Sequence, residues 1–358
     1  MAKTALLALP LLSLGGCFLF AMKKESAFGR LLKVQVIWNH ITDNFWLGTG
    51  LGRFSWRYPQ WQADYFKTNE SPPLEYYLSA DESYIIFNEW LQLFKETGII
   101  GFLVFIALLI FMFRAKSKNH SRLLLAAKAT VTAILVCGFT AYPLHVNALL
   151  FLLFFSFSVA FMTGDNQLFF KKPRALSKPL ARIFLLLVML FAACASYVGV
   201  RRLAAVYKWN NLTENYSMPC VQRRAAYSAL YPLLKHDGKF LTDYGDCLMR
   251  DCADYPQASM VLENAGKYFI SQKTIYLAGY SCLQMKNFPK AIEHFGWLSN
   301  YLPNRFSPKF ELLKIYKETG DTAKARETGR LILTMPIKIP SGEVDRIKQE
   351  TKIIMRDL

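Results

Sequence analysis

Three arginines and a run of aromatic residues alternate in the polar stretch 23–98. The arginines and the tryptophan nearest to them are Arg30, Arg53, Arg57 and Trp56. A guanidinium group binds phosphate in a bidentate manner, and an aromatic face stacks on a sugar ring. The composition therefore indicates either a glycan-phosphate site or an interfacial belt, in which Trp and Tyr lie at the level of lipid headgroups.

A second set of residues able to do chemistry lies at the end of this stretch. Asn88 and Glu89 fall at the start of a predicted helix that continues into a long apolar run. Asn is a preferred N-cap, and a buried Glu whose pKa is raised serves as a general base. His40 and His145 are further candidate proton acceptors. No His or Cys spacing is typical of a metal site, so we predict neither a metal nor a cofactor.

Long apolar runs must position these residues. Five runs reach the roughly 17–25 residues that cross about 30 Å of hydrocarbon, at 4–22, 84–113, 123–141, 145–162 and 180–199. The first run also fits a signal peptide with a lipoprotein-like cleavage site, but its continuation past Cys17 favours a retained helix. With 53% apolar and 19% charged residues, the chain is neither a disordered protein nor an ordinary soluble enzyme.

The distribution of positive charge predicts the orientation of these spans. The chain has 43 basic and 26 acidic residues. Within residues 99–198, ten basic residues stand against one acid, and they lie in the short loops 114–122 and 163–182 or at the ends of apolar runs. Basic short loops stay on the cytoplasmic side of a membrane, whereas a nucleic-acid-binding protein carries a basic face on a folded domain. We therefore predict a multi-pass membrane protein without a nucleic-acid partner. The segment 23–83 and the C-terminal part are expected on the outer face, although two arginines just beyond the last span favour the opposite orientation.

The polar C-terminal part shows a repeat with a period of 34 residues. Gly245 and Gly279 lie one period apart, and Ala291, Phe295 and Pro303 follow at positions where paired helices pack and end. This pattern is typical of tetratricopeptide repeats, which stack into an α-solenoid with a groove for a protein partner. An irregular helical bundle is the alternative.

The predicted fold is all-α, with a polytopic membrane domain of about five spans followed by a tetratricopeptide-like α-solenoid. The predicted boundaries are a transmembrane helix at 1–22, an outer loop at 23–83, a four-helix transmembrane region at 84–199 and an outer helical domain at 200–358. This organisation brings the polar stretch and the repeats to the same face of the membrane.

The outer helical domain has four cysteines, which are either all free thiols or form at least one disulfide. They are Cys220, Cys247, Cys252 and Cys282. An oxidising compartment permits pairing, but helical geometry would strain a bond between Cys247 and Cys252. The sequence leaves both alternatives open.

Two strings of residues carry a resemblance to a known family. The first is Gly29-Arg30-Leu31, then Trp38, then Gly48-Thr49-Gly50-Leu51-Gly52-Arg53-Phe54. The second is Phe87-Asn88-Glu89-Trp90-Leu91-Gln92, then Glu96-Thr97-Gly98-Ile99-Ile100-Gly101. Together they resemble the large outer loop and the following helix of the O-antigen ligase and O-antigen polymerase family. The family pattern is a His followed by Asn, Ser or Gln, then nine residues and Gly-x-x-Gly, and here Asn88 and Gly98-Ile99-Ile100-Gly101 match its last three parts. The C-terminal repeats resemble those of Bacteroidetes-type members of the family.

The resemblance implies metal-independent glycosyl transfer at the periplasmic face of the bacterial inner membrane. The implied donor is an undecaprenyl-diphosphate-linked glycan, and the acceptor is a lipid A core, another glycan or a protein. The enzyme would neutralise the charge that develops on the diphosphate and deprotonate an acceptor hydroxyl. The expected catalytic residues are then Glu89, Asn88 and Arg53, and the expected substrate-binding residues are Arg30, Arg57 and Trp56. Membrane lipids and a protein at the repeat groove are the other expected partners.

The chain departs from the family pattern in two ways. Phe87 stands where the family has its His, so Glu89, His40 or His145 would have to accept the proton. The family generally has ten or more spans, and five are found here. A non-catalytic membrane-anchored scaffold, or one half of a split ligase, is therefore the alternative function. A transporter is disfavoured because spans three to five, apart from Lys128 near one end, hold no ionisable residue deep in the membrane, where a coupling site is expected.

Overall fold

The computed structural model describes residues 24–69, 71–163, 178–215 and 218–358. This part of the chain forms fifteen α-helices and one short 3₁₀ helix and holds no β-strand. The predicted all-α class is therefore confirmed for the described residues. The predicted first span, 4–22, lies outside them.

The helices fall into three consecutive groups. The outer segment holds α1 (Lys24–Asn39), α2 (Phe54–Thr68) and α3 (Leu74–Ser79). The apolar group holds α4 (Glu89–Arg114), α5 (Ser121–Cys137), the 3₁₀ helix Pro143–His145, α6 (Asn147–Thr163) and α7 (Lys178–Glu214). The C-terminal group holds α8 (Cys220–Leu234), α9 (Gly238–Arg250), α10 (Tyr255–Ala265), α11 (Gln272–Gln284), α12 (Phe288–Tyr301), α13 (Phe306–Glu318), α14 (Thr322–Thr334) and α15 (Gly342–Arg356).

Two of the described helices are long and apolar enough to cross a membrane. They are α4 and the Arg182–Glu214 part of α7, while α6 is apolar but only 17 residues long. The helices α4, α5 and α6 pack together through a buried apolar cluster that includes Met112, Val131 and Leu153. No residue in the most apolar part of α7 is buried against the described chain. These apolar helices are consistent with membrane association.

The C-terminal helices form hairpins that recur with the period predicted from the sequence. Their first helices, α9, α11 and α13, begin 34 residues apart at Gly238, Gln272 and Phe306. A Cβ atom on Gly245 would lie 2.5 Å from Cγ of Leu262, and one on Gly279 would lie 3.0 Å from the ring of Phe295. The two glycines therefore permit the close approach of the paired helices.

The second helix of each hairpin begins at a side-chain cap. Asp254, Asn287 and Asp321 each accept a hydrogen bond from the backbone N–H three residues later. A cap of this kind stabilises a helix by about 1 kcal/mol. The recurring cap explains why each hairpin turns at an Asp or Asn.

One disulfide closes the start of the C-terminal group. Cys220 at the start of α8 is bonded to Cys252 in the loop after α9. An ion pair between Arg223 and Asp251 lies beside it. Cys247 and Cys282 are free and buried, and burial raises the pKa of the Cys247 thiol to about 12. The structure thus shows the paired alternative, with one disulfide and two unreactive thiols.

Candidate functional site

The outer segment is held against the loops that connect successive hairpins. Gln62 Nε2 donates to the Tyr301 carbonyl at 2.7 Å, and both atoms are buried. Asn304 Nδ2 donates to the carbonyls of Leu78 at 3.0 Å and Ala80 at 2.7 Å. Because these bonds join residues more than 200 positions apart, the hairpins form a support that fixes the shape of the outer segment.

The two glycine-containing strings of the sequence pack directly against each other. Gly98 interrupts the helical geometry of α4, with φ 66° and ψ −175°. The amides that follow this break donate to the outer segment, with Ile99 N–H bonding the Phe45 carbonyl at 2.9 Å. In return, Thr49 N–H donates to the Lys95 carbonyl at 2.9 Å. The result is a short backbone junction, which we call the glycine junction.

Neither glycine at the centre of the glycine junction leaves room for a side chain. A Cβ atom on Gly98 would lie 2.4 Å from the Trp46 carbonyl oxygen. A Cβ atom on Gly48, whose φ is +70°, would lie 2.4 Å from the Glu96 carbonyl oxygen. The Glu96 carboxylate also accepts the backbone N–H of Gly52 at 2.8 Å. The glycine junction therefore fixes the position of Glu96 and of the helical turns before it.

Four polar side chains form a continuous hydrogen-bonded cluster at the start of α4. Gln92 Nε2 donates to Glu96 Oε1 at 3.2 Å and lies 2.9 Å from His145 Nε2. His145 Nδ1 lies 3.0 Å from Glu89 Oε1, which also accepts the backbone N–H of Leu144 at 2.9 Å. The hydrogen bond to Glu89 raises the pKa of the His145 imidazole. We call Glu89, Gln92, Glu96 and His145 the polar cluster.

The polar cluster lines one end of an apolar cavity of about 750 Å³. The cavity runs between α4 and α6 towards Phe111 and Phe161, and leucine and phenylalanine side chains form most of its wall. Glu89 and Gln92 are buried, whereas the His145 side chain is 34% exposed. A hydrocarbon chain fits such a wall, and the polar end offers proton donors and acceptors to a headgroup.

A second cavity, of about 490 Å³, contains two neighbouring cations. The Arg30 guanidinium carbon lies 5.2 Å from the centre of the Phe87 ring, and Lys33 Nζ lies 4.6 Å from it. Burial, together with the charge of Arg30, lowers the pKa of Lys33 to about 8. Three carboxylates line the same cavity, and one of them, Asp81, is paired with Arg305. The other two are Glu75 and Glu82. The two cations therefore form a site whose charge repulsion an anion would relieve.

The chain segment that leads into α4 contributes to both cavities. Phe87 lines the cationic cavity, and its ring centre is 5.4 Å from that of Tyr142. Tyr142 precedes the 3₁₀ helix that carries His145. Phe87 thus lines the cationic cavity, and Glu89, two positions later, lines the apolar cavity.

The structure separates the predicted site residues. Arg30 lies in the cationic cavity and Glu89 in the polar cluster. Asn88 accepts the Leu91 N–H at 3.0 Å and is the N-cap of α4. Trp56 Nε1 donates to the Gly266 carbonyl at 3.0 Å, with the Arg57 guanidinium 4.7 Å from its ring. Trp56 and Arg57 line neither cavity. Arg53 is exposed and also lines neither of them.

Three residues of these sites were not predicted from the sequence. Lys33 follows Arg30 by one helical turn, so both project from the same face of α1. Gln92 and Glu96 follow Glu89 by three and seven residues, which places them on one face of α4. The polar stripe at the start of α4 is the signal that could have identified Gln92 and Glu96.

Comparison with family models and with curated proteins found no significant match for this chain. Among the described residues, no group of three or more His, Cys, Asp or Glu side chains has the arrangement of a metal site. The two cavities and the polar cluster therefore carry the argument for function.

Proposed function

We propose that this protein transfers a glycan from an undecaprenyl-diphosphate-linked donor to a lipid, glycan or protein acceptor, as O-antigen ligases and polymerases do. The observation that carries the proposal is the cation pair Arg30–Lys33 beside an apolar cavity. The donor combines the two matching features, a dianionic headgroup and a long hydrocarbon chain. Lipids of this class are the substrates that such a pair of cavities fits best.

The chemistry of the transfer assigns roles to the two regions. A diphosphate is already a good leaving group, so the protein has to stabilise the negative charge that develops on it. Arg30 and Lys33 supply that stabilisation from the cationic cavity. The acceptor hydroxyl has to lose its proton, and the polar cluster holds the groups able to take it.

The proposal includes a multi-pass arrangement in the bacterial inner membrane, with the C-terminal hairpins in the periplasm. The hydrogen bonds from Gln62 and Asn304 join the outer segment to the hairpins, so both belong on one face of the membrane. An even number of crossings must then separate residues 88 and 200. We assign four, α4 to α7, although α5 and α6 are only about 25 Å long at 17 residues each. The Cys220–Cys252 disulfide supports an oxidising outer compartment.

A non-catalytic scaffold, or one half of a split ligase, is the second candidate. The most apolar part of α7 packs against no other described helix, which favours a further membrane polypeptide beside it. The tetratricopeptide-like hairpins would then recruit envelope-assembly proteins through their groove. A non-catalytic scaffold leaves the cation pair and the polar cluster without a role.

Donor binding tests the role of the cation pair. We expect Arg30→Ala and Lys33→Ala each to weaken binding of undecaprenyl diphosphate about 10- to 100-fold, because a hydrogen bond to a charged group contributes roughly 1.5–3 kcal/mol. The measurement is equilibrium binding to the purified full chain in nanodiscs of zwitterionic lipid. Lys67→Ala, an exposed lysine at the end of α2, is the matched control and should bind like the wild type. Wild-type affinity in both cation variants would rule the site out.

A further inference from the structure

We propose that His145 is the catalytic base that accepts the proton of the acceptor hydroxyl and that Glu89 is the residue that positions it. The inference rests on the proposed function, since a base is required only if the chain transfers a glycosyl group. Phe87, at the start of α4, has no atom that accepts a proton. His145 contacts Glu89, two positions after Phe87, from 56 residues later in the chain.

The contact with Glu89 fixes the tautomer of His145. The Glu89 carboxylate is only 7% exposed and lies 3.0 Å from Nδ1 of the imidazole. A carboxylate only accepts hydrogen bonds, so Nδ1 carries the hydrogen and Nε2 keeps its lone pair. The Leu144 N–H holds the same carboxylate oxygen at 2.9 Å, which prevents Glu89 from turning away. A carboxylate that orients an imidazole in this way supports its use as a general base.

The other imidazole nitrogen belongs to a side chain that lines the apolar cavity. His145 Nε2 lies 2.9 Å from the Gln92 amide nitrogen, and the imidazole is the most exposed member of the polar cluster. An acceptor hydroxyl that enters from the cavity takes the place of the Gln92 amide. Gln92 keeps one amide N–H bond, to Glu96 Oε1 at 3.2 Å, and its other N–H then donates to the oxygen of the incoming hydroxyl.

The step conserves atoms and electrons. The acceptor O–H bond breaks and its proton moves to His145 Nε2, while an oxygen lone pair forms the bond to the anomeric carbon of the donor. The bond between that carbon and the diphosphate oxygen breaks, and its electron pair stays on the diphosphate beside Arg30 and Lys33. The imidazolium that forms is held by Glu89 and passes its proton to water when the product leaves.

The charged groups around His145 set the direction of the pH dependence. Glu89 and Glu96 of α4 face it, and the described residues of α6 that line the cavity carry no charge. The hydrogen bond to Glu89 raises the pKa of His145. A base acts when deprotonated, so transfer should increase with pH through this raised pKa. Glu89→Gln removes the interaction, and the increase should then occur at lower pH.

The experiment measures transfer by the full chain in proteoliposomes as a function of pH. The donor is an undecaprenyl-diphosphate-linked glycan, and donor binding is measured in the same vesicles. We expect His145→Gln to reduce the rate about 10²- to 10⁴-fold with donor binding unchanged. We expect Glu89→Gln to move the pH profile to lower pH. Imidazole added to His145→Ala should restore part of the rate, which a misfolded variant would not show.

His40→Gln is the matched control. His40 lies 2.9 Å from Asp43 and stacks on Trp61, and it lines neither cavity, so its rate and pH profile should match the wild type. Wild-type rates in His145→Gln would overturn the assignment of the base and leave the transferase intact. A lack of transfer by the wild type, with donor bound, would overturn the base and the transferase together.

Discussion

Replacing Gly98 by alanine should open the glycine junction and destabilise the protein by about 2–6 kcal/mol. The φ/ψ values of Gly98 belong to a region that is essentially restricted to glycine, and another residue there is strained by about 1–3 kcal/mol. The new Cβ would also lie 2.4 Å from the Trp46 carbonyl oxygen, a backbone atom that cannot rotate away. Overpacking of this kind costs a further 1–3 kcal/mol or so.

Hydrogen exchange of the full chain in detergent gives a local measure of this effect. The amides of Thr49 and Ile99 bond across the glycine junction, so both should exchange faster in Gly98→Ala and in Gly48→Ala. Gly52→Ala is the matched control, because Gly52 has φ +71° but nothing within 4 Å of its Cβ position. It should cost only about 1–2 kcal/mol and leave exchange at Ile99 unchanged. Equal protection in all three variants would contradict the close packing described.

Replacing Asn304 and Gln62 by leucine should release the outer segment from the hairpins. The two side chains donate to four carbonyl groups, those of Leu78, Ala80, Asp81 and Tyr301. Each buried carbonyl left without a partner costs about 1–3 kcal/mol, so the double variant should lose several kcal/mol of interaction. Donor binding should weaken as well, because Leu78 and Gln62 line the cationic cavity.

Limited proteolysis of the detergent-solubilised chain measures this release. Cleavage between residues 69 and 84 should be faster in the double variant than in the wild type. Arg305→Ala is the control, since it breaks only an exposed ion pair with Asp81, which contributes about 0–1 kcal/mol. Should the double variant resist the protease as well as Arg305→Ala does, the hairpins are not the support of the outer segment.

The local features of the fold could be predicted from the sequence. The 34-residue period marked the hairpins because Gly245 and Gly279 recur where paired helices touch. N-capping was the alternative to a catalytic role for Asn88, and its side chain accepts the Leu91 N–H. Such features depend on neighbours within one or two helical turns, and their signal is therefore present in a short window.

Long-range contacts account for the parts of the site that could not be predicted. Trp56 looked like a sugar-stacking residue, but its indole N–H bonds the Gly266 carbonyl 210 residues away. His145 and Glu89 were separate candidates, and only the packing of the turn between α5 and α6 against α4 makes them a pair. Composition gives the residue types able to bind phosphate or move a proton, whereas the fold decides which of them share a cavity.

Glycan transfer by this chain alone tests the central claim most directly. The assay uses proteoliposomes that contain the purified full chain, an undecaprenyl-diphosphate-linked glycan and an acceptor whose competence an established ligase has demonstrated. The proposed function predicts time-dependent transfer that requires Arg30 and His145 and is retained in Lys67→Ala. No transfer by the wild type with these competent substrates would contradict the claim and leave the scaffold or split-ligase function in its place.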